Sequence, residues 1–102
     1  MSDTIAIIRF RLKEGKTKED WLKMNEKVNE WVLLQPGFRF RSLSETEDGK
    51  WTVVTQWESM NAADLAEKNF RLEMEDLIMP FVDAKSLDIS RGKSHMMQGA
   101  AK

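Results

Sequence analysis

Cysteine and tyrosine are absent from this chain, histidine occurs once and proline twice. Without cysteine there are no disulfides, no thiolate nucleophiles and no Cys-ligated zinc or iron–sulfur centres. The same absence is compatible with a reducing cytoplasm, the expected location. The single histidine, His95, falls near the end of the chain, away from any convergent acid or nucleophile. A Ser-His-Asp constellation or a histidine-based metal site is therefore not expected. No glycine-rich phosphate loop occurs, because Gly15, Gly37, Gly49, Gly92 and Gly99 are scattered and read as turn residues. The Ile5–Ile8 run is too short for a signal segment, and nothing approaches a transmembrane length. No charge of one sign dominates: 16 basic and 17 acidic residues leave a net charge of -1. That gives no bulk field toward nucleic acid or an anionic membrane, and neither is an expected partner.

What remains is an ordinary globular composition, 41% hydrophobic and 32% charged over 102 residues, enough for one domain with one core. We place that domain at residues 1–91 and expect 92–102 to be a loose tail. Thr4–Leu12 alternates as a strand. Ala6, Ile8, Phe10 and Leu12 share an apolar face, while Ile5, Ile7, Arg9 and Arg11 share one that turns cationic. A strand apolar on both faces at its start suits a sheet covered on both sides. Thr17 with Asp20 resembles a capping box for a helix to about Leu34, with Trp21, Met24, Val28, Trp31 and Val32 as its apolar stripe. Pro36-Gly37 marks its stop.

Phe38–Glu45 and Trp51–Glu58 form the arms of a hairpin about Asp48-Gly49. Phe38, Phe40, Ser42 and Ser44 are expected on one face of the first arm. In the second arm Trp51, Val53, Thr55 and Trp57 share a face. Asn61 with Asp64 predicts the N-terminus of a second helix whose apolar phase slips near Phe70–Glu73, and Pro80 ends it. Lys85–Arg91 is the last strand. The order β-α-β-β-α-β predicts an α+β, ferredoxin-like antiparallel sheet with helices on one face. Its other face needs a cover.

Two sets of residues suggest chemistry. Four Trp and five Phe are a large aromatic share for so small a core. They serve packing, or they line a pocket for a planar small molecule between helices and sheet. Arg9, Arg11, Arg39 and Arg41 alternate alike and are expected to converge on one sheet face. There they would pair with Glu45, Glu58 or Asp88 or with acids of a partner chain, or, as the lesser alternative, bind a carboxylate or phenolate ligand. Gln56 and Thr55 are polar in a central strand and either orient a ligand or simply satisfy one another.

The strand Ile5–Leu12, the turn Leu34-Gln35-Pro36-Gly37-Phe38 and the run Trp57-Glu58-Ser59 before an Ala-rich helix resemble the dimeric α+β barrel superfamily. Within it they are most similar to the antibiotic-biosynthesis monooxygenase-like domains. The resemblance implies a homodimer in which two sheets face each other through their open faces. It also implies cofactor-free oxygenation of an aromatic or quinol-like molecule. Haem degradation is not implied, because the first strand has no Asn and the helix Asn61–Phe81 has neither Trp nor His. By this resemblance Asn69 and Arg9 are the candidate catalytic residues, and Trp57, Phe70, Met74, Trp21 and Gln56 line the substrate site. No cofactor and no metal is expected. The alternative is a non-enzymatic homodimeric module that binds a small molecule or a partner.

Overall fold

The computed structural model describes residues 3–99 and has the anticipated α+β, ferredoxin-like order. Strand β1 (Thr4–Phe10) leads to helix α1 (Lys18–Leu33), then strands β2 (Phe38–Glu45) and β3 (Trp51–Trp57). Helix α2 (Met60–Glu73), a short helix α3 (Glu75–Ile78), two 3₁₀ turns and strand β4 (Asp88–Lys93) follow. The sheet is antiparallel in the order β2-β3-β1-β4.

Local chemistry explains the boundaries. The Thr17 hydroxyl accepts a hydrogen bond from the Asp20 amide at 3.2 Å, capping α1. Gly37 turns the chain into β2 at φ +79°, and an added Cβ there would stand 2.7 Å from Ala62 Cβ. Helix α2 is capped one turn-residue pair earlier than expected. Ser59, not Asn61, accepts from the Ala62 amide at 3.1 Å, and the helix begins at Met60. The phase slip near Phe70–Glu73 is a real break at Met74 between α2 and α3, and Pro80 lies inside the 3₁₀ turn Met79–Phe81. The last strand runs Asp88–Lys93 rather than Lys85–Arg91. Its register is imposed by pairing with β1 (Ile8 opposite Ile89, Thr4 opposite Lys93), which overrides the poor strand propensity of Gly92. Residues 94–99 have no regular structure, and 100–102 of the expected tail lie outside the described residues.

One departure changes the faces of the sheet. A bulge lies between Phe38 and Phe40 in β2. Phe38 therefore stacks edge-on to Trp57 on the helix side, at 5.7 Å between centroids. Beyond the bulge Arg41 pairs with Thr55 and Leu43 with Val53, so these face the helices too. Phe40, Ser42 and Ser44 turn to the open face, away from Phe38.

The helix-facing core has two parts. The larger gathers Phe10, Trp21, Val28, Trp51, Val53, Met74, Ile78 and Val82. The smaller gathers Val32, Trp57, Ala62, Ala63 and Ala66. Between them runs one row across the sheet: Arg41 on β2, Thr55 on β3, Ala6 on β1 and Arg91 on β4. Its central side chains are too small or too polar to join the two clusters.

Candidate functional site

A cavity of about 390 Å³ lies between the sheet and the helices, over that row. Such a volume suits a small organic molecule. Ala6 and Thr55 form part of its floor. Trp21, Trp31, Trp57 and Phe70 are among its walls, and Asn25, Arg41, Glu67, Glu75 and Arg91 are among its polar groups.

The tryptophans reach it because the stripe of α1 and the inner face of β3 meet there. Trp21 is 2% exposed and packs edge-on against Phe10 at 5.4 Å. Trp31 packs edge-on against Phe70 at 5.7 Å, and its indole N–H donates to Glu73 Oε1 at 3.0 Å. The Trp21 indole N–H is buried with no acceptor among the described residues.

Arg41 enters from the β2 edge. Its Nη2 donates to Asn25 Oδ1 at 2.7 Å and its Nη1 to Asn29 Oδ1 at 2.8 Å. Asn25 is itself fixed, because its Nδ2 donates to the Trp21 carbonyl one helical turn back at 2.8 Å. Burial pushes the Arg41 guanidinium down to about 10, so it stays charged at neutral pH. Arg91 enters from the opposite edge and meets two carboxylates of α2, Asp64 at 2.5 Å and Glu67 at 2.9 Å.

The structure separates the residues singled out in the sequence. Trp21, Trp57 and Phe70 line the cavity. Met74 lies in the larger core cluster, behind the wall. Asn69 donates to Gln35 Oε1 at 2.9 Å, outside the lining. Arg9 and Gln56 are on the other side of the sheet, since they alternate with the cavity-facing Ile8 and Thr55. Gln56 donates there to Asp3 Oδ2 at 2.7 Å and contacts the Met97 sulfur.

The four arginines do not converge. Arg11 pairs with Asp48 at 3.0 Å, Arg39 with Asp3 at 3.3 Å, and Arg41 meets two amides. None of these partners is Glu45, Glu58 or Asp88; Arg9 does stand opposite Asp88 in the β1–β4 register, with no ion pair between them. Arg9 and Arg41 are on opposite faces, and the bulge at Arg39 breaks the alternation that suggested a shared one. Asn25 was missed altogether. Its signal was an amide placed four residues after Trp21 on an otherwise apolar helical stripe.

The sequence profile of the antibiotic biosynthesis monooxygenase family matches residues 4–69, and the chain belongs to that family. No curated protein is a significant sequence match. Among solved structures, a protein of Nitrosomonas europaea provisionally assigned to the same monooxygenases superposes with a TM-score of 0.78. It has 14% identity, over 95% of this chain and 94% of that one. A conserved protein from Methanosarcina mazei gives 0.75 at 15% identity, over 93% and 95% of the two chains. SnoaB, a cofactor-independent oxygenase from Streptomyces nogalater, gives 0.70 at 15% identity over 100% of both. At these identities the structural likeness establishes the fold. No helix among the described residues is long and apolar enough to cross a membrane.

Proposed function

We propose that this protein is a cofactor-independent oxygenase acting on a small aromatic or quinol-like molecule held in the cavity over Ala6 and Thr55. The observation that supports it is the cavity itself, walled by Trp21, Trp31, Trp57 and Phe70 with a few converging polar groups. Family membership and the likeness to SnoaB add to it.

The substrate supplies the electrons. Loss of a proton makes it an anion delocalised over the ring, and Glu75 is the candidate acceptor. Glu75 lines the cavity and, among the described residues, forms no ion pair. The anion reduces dioxygen, a carbon–oxygen bond forms, and the hydroperoxide loses water to leave a carbonyl. One oxygen atom ends in the product and the other in water, so a CH₂ becomes C=O with no further oxidant. The aromatic walls exclude water from the reacting anion.

A homodimer through the open sheet face belongs to the same reading. Ile5, Ile7, Phe40 and Val54 share that face by register, and Phe40 is 47% exposed.

Oxygen uptake with a panel of quinols and hydroxynaphthalenes tests the proposal. Turnover by the wild-type protein, lost in Glu75→Gln, supports it. Binding across the panel without oxygen consumption would mark a non-catalytic binding module instead.

A further inference from the structure

The two arginines that end the row across the cavity floor are treated differently by the fold. Arg91 faces Asp64 and Glu67, two carboxylates within hydrogen-bond reach. Arg41 is drawn among apolar side chains and forms no ion pair with any described residue. Its acceptors are the neutral amides of Asn25 and Asn29. An arginine carries five N–H donors. Two of Arg41's are used, and none of the others has an acceptor among the described residues.

Holding a charge in partly apolar surroundings without a counter-charge costs stability. A carboxylate at position 25 or 29 would remove that cost at no loss of volume, and neither position has one. The guanidinium is therefore oriented by its amides but left electrostatically open on the cavity side. Trp21 lines the same cavity with its ring, but its indole nitrogen is not exposed to it. Arg41 and Trp21 are mechanically tied, because Asn25 accepts from Arg41 and donates to the Trp21 carbonyl.

From this geometry we infer that Arg41, positioned by Asn25 and Asn29, forms a recognition site for an anionic oxygen on the aromatic ligand. The oxygen belongs to a carboxylate or to a phenolate or enolate conjugated with the ring. Arg41 is thus the specificity-determining residue of the cavity. The inference takes from the proposed function only that the cavity is the substrate site. An anionic oxygen supplies both the missing charge and the missing acceptor, and a neutral aromatic supplies no charge. Arg91, already neutralised, makes no such demand.

Equilibrium binding, read from tryptophan fluorescence and confirmed by calorimetry, tests it with paired probes. In one arm 2-naphthoate is compared with the neutral 2-naphthamide. In the other, 2-naphthol is titrated across its own ionisation and its absorption read in the bound state. A charge-assisted contact in a partly apolar site should favour the anion by about tenfold or more. Preference for 2-naphthoate points to a carboxylate source. Ionisation of bound 2-naphthol at lower pH than free points to a phenolate source. Either preference should shrink to within about twofold in Arg41→Gln and survive in part in Arg41→Lys. Asn29→Asp covers a failure of Arg41→Gln to fold. It is an isosteric change on the exposed side of α1 that gives Arg41 the missing counter-charge, and it should lower the preference several-fold. No anion preference in either arm, or a preference unchanged in Arg41→Gln or Asn29→Asp, overturns the inference. Absence of oxygen uptake with the preference intact would refute the proposed reaction and leave the anion site standing.

Discussion

Arg41 and Arg91 stand at opposite ends of one cross-strand row through Thr55 and Ala6, and only Arg91 is answered by carboxylates. With strands spaced about 4.8 Å apart, their backbones are roughly 14 Å apart across the sheet. The row divides the core into two clusters and leaves the cavity between them.

Arg91 fastens the edge strand β4 to α2. Its side chain is 23% exposed, but Asp64 and Glu67 are 61% and 46% exposed, so solvent screens much of the attraction. Arg91→Ala should cost about 1 kcal/mol, mostly in low salt. Thermal denaturation of both proteins at low and high sodium chloride checks this, and the gap between them should narrow as salt rises.

Gly37 carries a double constraint. Its φ of +79° disfavours a side chain, and a Cβ would stand 2.7 Å from Ala62 Cβ and 2.8 Å from Glu58 Cγ. Gly37→Ala should destabilise by about 2–4 kcal/mol, combining left-handed strain with overpacking at the start of α2. Gly15 has φ +88° and nothing within 4 Å of its virtual Cβ. Gly15→Ala should therefore lose only the strain, about 1–2 kcal/mol. Urea denaturation of the pair separates the two contributions.

Trp21 both packs the core and carries an unsatisfied donor. Trp21→Phe keeps the edge-on contact with Phe10 and removes the orphaned N–H, whose burial costs about 1–3 kcal/mol. The lost ring area offsets that relief. The net change in unliganded stability should fall within about 1 kcal/mol of zero, against a loss of about 3–5 kcal/mol for Trp21→Ala. Denaturant midpoints of the two variants decide the matter. A large loss in Trp21→Phe would mean that the packing of the full indole outweighs the relief of the unmet donor.

Much of the fold was legible in the sequence because its signals are local. Thr17 caps α1 through a side chain three residues from its partner. Alternation in Trp51–Trp57 needs only the strand period, and Gly49 turns the hairpin at φ +83°. The site was less legible because it depends on one non-local irregularity. The bulge at Arg39 reverses the phase of β2, sends Phe40 to the open face and brings Arg41 under the helices. Nothing in Phe38–Glu45 announces an extra residue, since its cause lies in the pairing with β3. Asn25 was hidden in the same way, as its partner Arg41 is 16 residues away on another element.

The hairpin turn gives an acid-side signature. The Thr46 hydroxyl bonded to Asp48, and then Arg11, hold the Asp48 carboxyl below its usual range. A carboxyl lowered in the folded state adds stability above its unfolded value, near 3.9. That contribution is lost as pH falls through the folded value. Asp48→Asn should therefore melt below wild type at pH 7, with the difference disappearing under strongly acidic conditions. Melting curves over that range check the sign, and a difference that grows toward acid would contradict it.

The open face makes the last prediction. Ile7 lies at its centre, opposite Val54 on β3 and Ser90 on β4, with Ile5 two residues away on the same side. A four-stranded sheet with helices on one side leaves these apolar groups to water unless a second sheet covers them. If the cover is another copy of the chain, Ile7→Lys places a charge in each half of the interface, where the two-fold axis brings like charges together. The wild-type protein should then scatter light with a dimer's mass at micromolar concentration, and Ile7→Lys with a monomer's. Because Ile7 points away from the cavity, the far-ultraviolet circular dichroism should be unchanged, and Glu30→Lys on the exposed side of α1 should remain dimeric. A wild-type protein of monomeric mass would refute this mode of assembly, and a dimeric Ile7→Lys would move the interface to another surface.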